Sequence, residues 1–175
     1  MPFVEISGKN VRNLSDFHLK PSAQNNLIFG KNGAGKTSLL EAIYLNSLGR
    51  SFKTNSLNNL INEPADSCLV FSRFLDDISQ NNHKIGLQRW KGNKQTIKID
   101  EKTISSLAPL ALLIPTLAIL PDETALIDGG SSLRRKYMDW IMFHVEPRFL
   151  LLWKQHQNLL KQRNHLLDPS TIQHH

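Results

Sequence analysis

The stretch Gly30-Lys31-Asn32-Gly33-Ala34-Gly35-Lys36-Thr37 decides the reading of this 175-residue chain. It fits the pattern G-x-x-x-x-G-K-[ST] without a deviation, and each letter has a chemical reason. Glycines let the backbone wrap with its N–H groups turned inward, and the N-terminus of a following helix adds partial positive charge toward a phosphate chain. Lys36 is placed to reach β and γ phosphates, the Thr37 hydroxyl to ligate magnesium, and Ser38 to donate to an α phosphate. The candidate cofactor site is therefore Gly30, Lys31, Asn32, Gly33, Ala34, Gly35, Lys36, Thr37 and Ser38. Thr37 is its metal ligand, and the cofactors are a nucleoside triphosphate, ATP, and Mg2+.

The flanks agree with the motif. Asn26-Leu27-Ile28-Phe29 is a short apolar run, the pattern of a strand buried on both faces of a parallel sheet. From Lys36 onward Leu39, Leu40, Ile43, Tyr44 and Leu48 recur at helical spacing, with Gly49 as the stop. Further upstream, Phe3 to Ile6 and Phe17 to Lys20 alternate apolar and polar residues and read as a hairpin. Downstream, Ser51 to Asn62 is polar and aperiodic, a long surface connection. Three strands follow, Ser67 to Phe74, Lys84 to Trp90 and Gln95 to Ile99, as an antiparallel meander. The Pro-bearing stretch Leu107 to Leu120 holds one buried strand, Leu117 to Leu120. Helices then start at Ser131 and at Pro147, the second ending near Asp168-Pro169.

Composition bounds the rest. At 40% hydrophobic and 21% charged residues the chain is globular, which excludes a disordered, collagen-like or coiled-coil protein. Lys plus Arg is 21 against 15 acids, a net charge of +6 that suits a polyanion partner. The single cysteine, Cys68, sits in an apolar run and reads as a small buried hydrophobe, with neither a disulfide nor a catalytic role. No apolar stretch reaches the roughly 20 residues of a bilayer span, and the start lacks the features of a secretory signal, so no membrane association and a cytoplasmic location are expected.

A hydrolase also needs an apolar strand that ends in an acid, to hold magnesium and position water. Leu117-Ala118-Ile119-Leu120-Pro121-Asp122-Glu123 offers one, but Pro121 removes an amide and re-aims the chain where the acid must be delivered. Two readings of this segment stand: a turn whose acids start the next helix, or the metal acid Asp122 of a small self-contained P-loop kinase with Arg134 and Arg135 clamping phosphate. The kinase requires Leu117 to Leu120 beside Asn26 to Phe29, and helices between Ser67 and Ile99. A third reading, a basic DNA-contact module that needs no nucleotide, calls for DNA affinity that survives loss of Lys36.

The phosphate loop continued by Ser38-Leu39-Leu40-Glu41-Ala42-Ile43-Tyr44 and Leu48-Gly49-Arg50-Ser51-Phe52-Lys53 resembles the RecF recombination and repair ATPases. So do Val11-Arg12-Asn13-Leu14, Leu120-Pro121-Asp122-Glu123 before Gly129-Gly130, Leu133 to Trp140, and Leu160 to Asn164. The resemblance implies an α/β P-loop NTPase of the ABC/SMC-head type, with an antiparallel β subdomain and a helical extension, incomplete at the C-terminus. On that reading residues 1–128 are the N-terminal part of the ATPase head and 129–175 a truncated helical lobe. The resemblance also implies DNA replication, repair of DNA damage and the SOS response, binding at single-strand/double-strand DNA junctions, RecO and RecR type partners, RecA loading and an ATP-dependent homodimer. By the same analogy Arg12 and Asn13 face the nucleotide, unless they form a solvated turn. Arg50 and Lys53 contact phosphate or DNA, or belong to a solvated basic loop. Arg134, Arg135 and Lys136 contact DNA, or form a salt-bridged helix face. The family's signature motif, acid-ending strand and switch histidine are not found in these 175 residues, so no catalytic residue is assigned. The expectation is weak ATP binding without appreciable hydrolysis.

Overall fold

A computed structural model of the protein describes residues 3–54, 56–76, 79–92, 94–120 and 130–167. The chain divides into two compact units, Met1–Ala118 and Ile119–His175. The first is built on a six-stranded antiparallel sheet of order β2-β1-β3-β4-β5-β6. Its strands are β1 (Phe3–Val11), β2 (Leu14–Leu19), β3 (Ser67–Leu75), β4 (Asn82–Trp90), β5 (Gln95–Ile99) and β6 (Lys102–Thr103). Helix α1 (Lys36–Leu48) packs on this sheet against β1, β3 and β4, and the short helix α2 (Ala108–Leu113) packs against α1. The second unit contains α3 (Ser131–Val145) and α4 (Phe149–Leu166), which contact each other.

Alternation explains the sheet. Along β3, Cys68, Val70, Ser72 and Phe74 are buried while the residues between them face outward, and β4 repeats the period with Ile85 and Leu87. Register puts these side chains opposite one another, Val70 beside Leu87 and Ser72 beside Ile85. The core they form with Ile6, Val11 and Ile97 is closed by Ala42 and Leu45 of α1 and Leu110 of α2. The expected meander is present as β3, β4 and β5, and the expected hairpin as β1 and β2; β5 has the expected bounds, and the other four strands are longer than the sequence pattern indicated.

Several expectations are corrected. Asn26 to Phe29 is not a strand, and Leu27 and Phe29 are 86% and 84% exposed. Leu117 to Leu120 is also without strand pairing, with Leu117 and Ile119 exposed. A parallel strand is stable only with neighbours that accept its ladder hydrogen bonds, and neither run has one among the described residues. The kinase topology falls with them, since strands rather than helices fill Ser67 to Ile99. Asp122, its metal acid, lies outside the described residues, as does Asp168-Pro169. The stretch Leu107 to Leu120 instead contains α2, with Pro109 in its first turn, where a missing amide leaves no helix bond unmade. The connection from Ser51 to Asn62 is not all surface. It carries a 3-10 turn over Leu57–Leu60, whose Leu60 is fully buried, and Ile61 bridges to Val11.

Cys68 is buried as expected, at 1% exposure. Burial pushes its thiol pKa up to about 11 from 9.0, against the opposing pull of the Arg89 charge. The folded thiol therefore keeps its proton where the unfolded one ionises, so this group's contribution to stability is lost as pH rises from 9 toward 11. At pH 8 the native thiol is expected to react with iodoacetamide about 100-fold more slowly than the urea-unfolded chain. Equal rates in the two states would show that the thiol is accessible and ordinary.

Candidate functional site

The phosphate loop runs from the exposed Phe29 into α1, and its shape depends on left-handed backbone at Gly33 and Gly35, with φ of 80° and 92°. A side chain at Gly35 would also meet Leu14 Cδ2 at 2.6 Å, so the loop and the β1–β2 hairpin are in contact at this glycine. Gly35 precedes the first residue of α1, and no side chain caps that helix. The amides of its first turn, from Lys36 to Ser38, are thus unpaired donors at the positive end of the helix dipole. The Lys36 ammonium donates to the carbonyls of Gly30 and Lys31 at 2.9 and 2.8 Å, which closes the loop into a ring.

Asn13 clamps that ring from the hairpin turn. Its Nδ2 donates to the Gly33 carbonyl at 2.9 Å, and its Oδ1 accepts from the Ser38 hydroxyl at 2.7 Å. A cleft of about 360 Å³ opens beside them, lined by Asn13, Asn32, Gly33, Gly35, Lys36, Thr37, Ser38 and Lys53. A second cleft of about 660 Å³ shares Asn13 and Ser38 and continues past Arg12 to Asn58, Asn59, Ile61, Glu63 and Lys91. The two share an edge at Asn13 and Ser38. One section offers amides, two lysines and hydroxyls, and the other offers amide side chains, Arg12, Lys91 and the acceptor Glu63, a set of polar groups that suits a phosphate chain joined to a polar organic group.

Arg12 occupies left-handed backbone at φ 55°, and its amide donates to the Leu60 carbonyl at 2.8 Å. Its guanidinium is held by Glu41 of α1 through two hydrogen bonds of 2.8 Å. Those bonds raise the Arg12 pKa above its ordinary value, although burial acts the other way. Sequence reasoning gave Glu41 no role. The available signal was an acid set inside the apolar run Leu39-Leu40-Glu41-Ala42-Ile43, where burial requires a cationic partner.

The structure thus brings residues 30–38, Arg12, Asn13 and Lys53 to one place. Arg50 is exposed just after α1 and does not line either cleft. Arg134, Arg135 and Lys136 lie on α3, all three exposed, in the second unit. Thr37 supplies one hydroxyl oxygen in the cleft, and no cluster of three or more His, Cys, Asp or Glu able to hold a metal occurs among the described residues. Among those residues, too, no helix is long and apolar enough to cross a membrane.

A family model described as an AAA domain matches residues 5–164. The DNA replication and repair protein RecF of Pseudomonas savastanoi pv. phaseolicola is 40% identical over 173 residues, 98% of this chain and 47% of that protein. RecF of Marinomonas sp. is 41% identical over 172 residues, 98% of this chain and 46% of that protein. The chain spans about half the length of the curated relatives it matches. The structure of the recombination mediator protein RecF with ATP matches with a TM-score of 0.81 at 29% identity, covering 94% of this chain and 44% of that one. An SMC ATPase matches with a TM-score of 0.64 at 18% identity over 81% of this chain and 99% of that one, a likeness of fold alone. The architecture is that of the P-loop head shared by these proteins.

Proposed function

The chain belongs to the AAA domain family and, within it, to the RecF proteins, and from that premise we propose that it binds ATP at residues 30–38 in the service of DNA repair and recombination. The observation that carries this reading is the uncapped N-terminus of α1, with Lys36, Thr37 and Ser38 lining one cleft. A triphosphate supplies the negative charge and acceptor oxygens that this end of the helix lacks. The first-turn amides and Lys36 hold it, Thr37 offers an oxygen to Mg2+, and Arg12 and Asn13 flank the nucleoside end. Lys53 belongs with the phosphate site rather than with DNA, because it lines the phosphate section of the cleft.

Among the described residues the phosphate section of the cleft has no acid on its lining to orient an attacking water. The apolar residues Leu27, Ile28 and Phe29 and the α1 residues Leu39, Leu40 and Ile43 line an open groove of about 500 Å³. In our reading that groove receives the strands of the RecF relatives' remaining length, including the acid that orients water. On this reading the chain binds ATP with a Kd between roughly 100 µM and 1 mM and turns it over no faster than solution. Equilibrium titration with a fluorescent ATP analogue and a phosphate-release assay test this. No saturation at millimolar nucleotide, or brisk release, would overturn it.

In the full-length family the same reading extends to an ATP-dependent homodimer that binds DNA at single-strand/double-strand junctions. There it works in the cytoplasm with RecO and RecR type partners to aid RecA loading. Supporting it are the net charge of +6 and the exposed cations Arg50, Arg134, Arg135 and Lys136. Phosphate contacts by these cations predict DNA affinity that falls steeply with salt.

A further inference from the structure

Glu41 is 1% exposed and lines neither cleft, five residues past Lys36. Both its oxygens accept from Arg12 at 2.8 Å, and one also accepts from the Ser51 hydroxyl. Ser51 Oγ in turn accepts the amides of Lys53 and Thr54 at 2.9 and 3.1 Å. One buried carboxylate thus ties the hairpin turn that carries Arg12 and Asn13 to the loop that carries Lys53. Those two segments, one before α1 in the chain and one after it, both supply cleft-lining residues.

We propose that Glu41 is a positioning residue for the nucleotide site, holding Arg12 directly and Lys53 through Ser51 at the rims of the cleft. The proposal rests on the ATP reading of that cleft. Stability alone gives little reason for the arrangement, because a buried ion pair contributes no more than well-packed apolar residues of the same volume. Its geometry serves direction instead. Two hydrogen bonds to a planar guanidinium fix its orientation as well as its place, which a lysine or an apolar contact does not. Arg12 is held in left-handed backbone between this pair and the Leu60 carbonyl, so its side chain has little freedom to find the cleft by another route.

The test is a pair of double-mutant cycles on the chain, read as the Kd for a fluorescent ATP analogue, with thermal unfolding in the absence of nucleotide as the structural control. Glu41→Gln keeps the shape and removes the charge, and it is expected to weaken ATP binding roughly tenfold, as Arg12→Ala does alone. Together the two substitutions are expected to weaken it no more than either one, because they break the same link. Ser51→Ala leaves the ion pair intact and covers the case in which Glu41→Gln unfolds. Its expected loss of about threefold disappears in a Lys53→Ala background. Losses that add in both cycles, or a Glu41→Gln chain that melts earlier but binds ATP as well as the unchanged one, would overturn the positioning role. A lack of ATP binding by the unchanged chain would instead overturn the nucleotide reading, and the positioning role with it.

Discussion

Replacing Lys36 by alanine is expected to weaken ATP binding by about 100-fold or more while leaving the fold intact. The two halves of that expectation have separate causes. The ammonium is held by the carbonyls of Gly30 and Lys31, so it sits at the centre of the ring that a triphosphate enters. When phosphate oxygens arrive, the lysine exchanges neutral carbonyl partners for charged ones, and such charge-assisted hydrogen bonds are about twice as strong. Alanine removes this gain and also leaves the loop carbonyls facing the anion, which is repulsive. No part of the hydrophobic core is touched, so the unfolding midpoint is expected to move by less than about 2 °C. Titration and thermal melting of the same preparation check both. A variant that keeps its affinity would mean the triphosphate, if bound, does not lie in this loop.

The loop itself was legible in the sequence because its chemistry is local. The N–H donors, the glycine conformations and the lysine all lie within eight residues, and Gly49, which stops α1, directly follows the helix it ends. The meander was legible for a similar reason, since each strand alternates by itself and pairs with the next. What failed was what depends on distant chain. Asn26 to Phe29 has the composition of a buried strand, but composition supplies no neighbour, and the run stands open beside α1. Glu41 is the converse case. Its partner Arg12 is 29 residues away across a hairpin, so nothing in the helix pattern marks the pair. Helix α1 shows both limits at once. The positions that recur at helical spacing include Leu40, which is 49% exposed, whereas Glu41, Ala42, Leu45, Asn46 and Ser47 are buried. A helix apolar on more than one side is built to be covered on more than one side, and here the sheet covers one of them.

That asymmetry predicts a large difference in stability between the two faces of α1. Leu45→Ala should lower the unfolding free energy by about 2 to 5 kcal/mol, because Leu45 is fully buried between α1 and the sheet and its loss leaves a cavity. The surroundings have little means of collapsing into the space. The next residue, Asn46, is pinned through its side-chain Oδ1, which accepts from the Ser72 hydroxyl, and its Nδ2 donates to the Val70 carbonyl at 3.3 Å. These bonds hold α1 over β3 at a fixed height, and breaking them would bury unpaired polar groups. Leu40→Ala, one turn earlier on the open side of the helix, should lower stability by less than about 1 kcal/mol. Urea unfolding of the two variants measures the difference. Leu45→Ala should also weaken ATP binding, through loss of folded chain alone, so that its affinity recovers at low temperature or in a stabilising osmolyte. Equal destabilisation by the two substitutions would mean that both faces of α1 are covered, and the open groove beside Leu27 to Phe29 would then have to be filled within this chain.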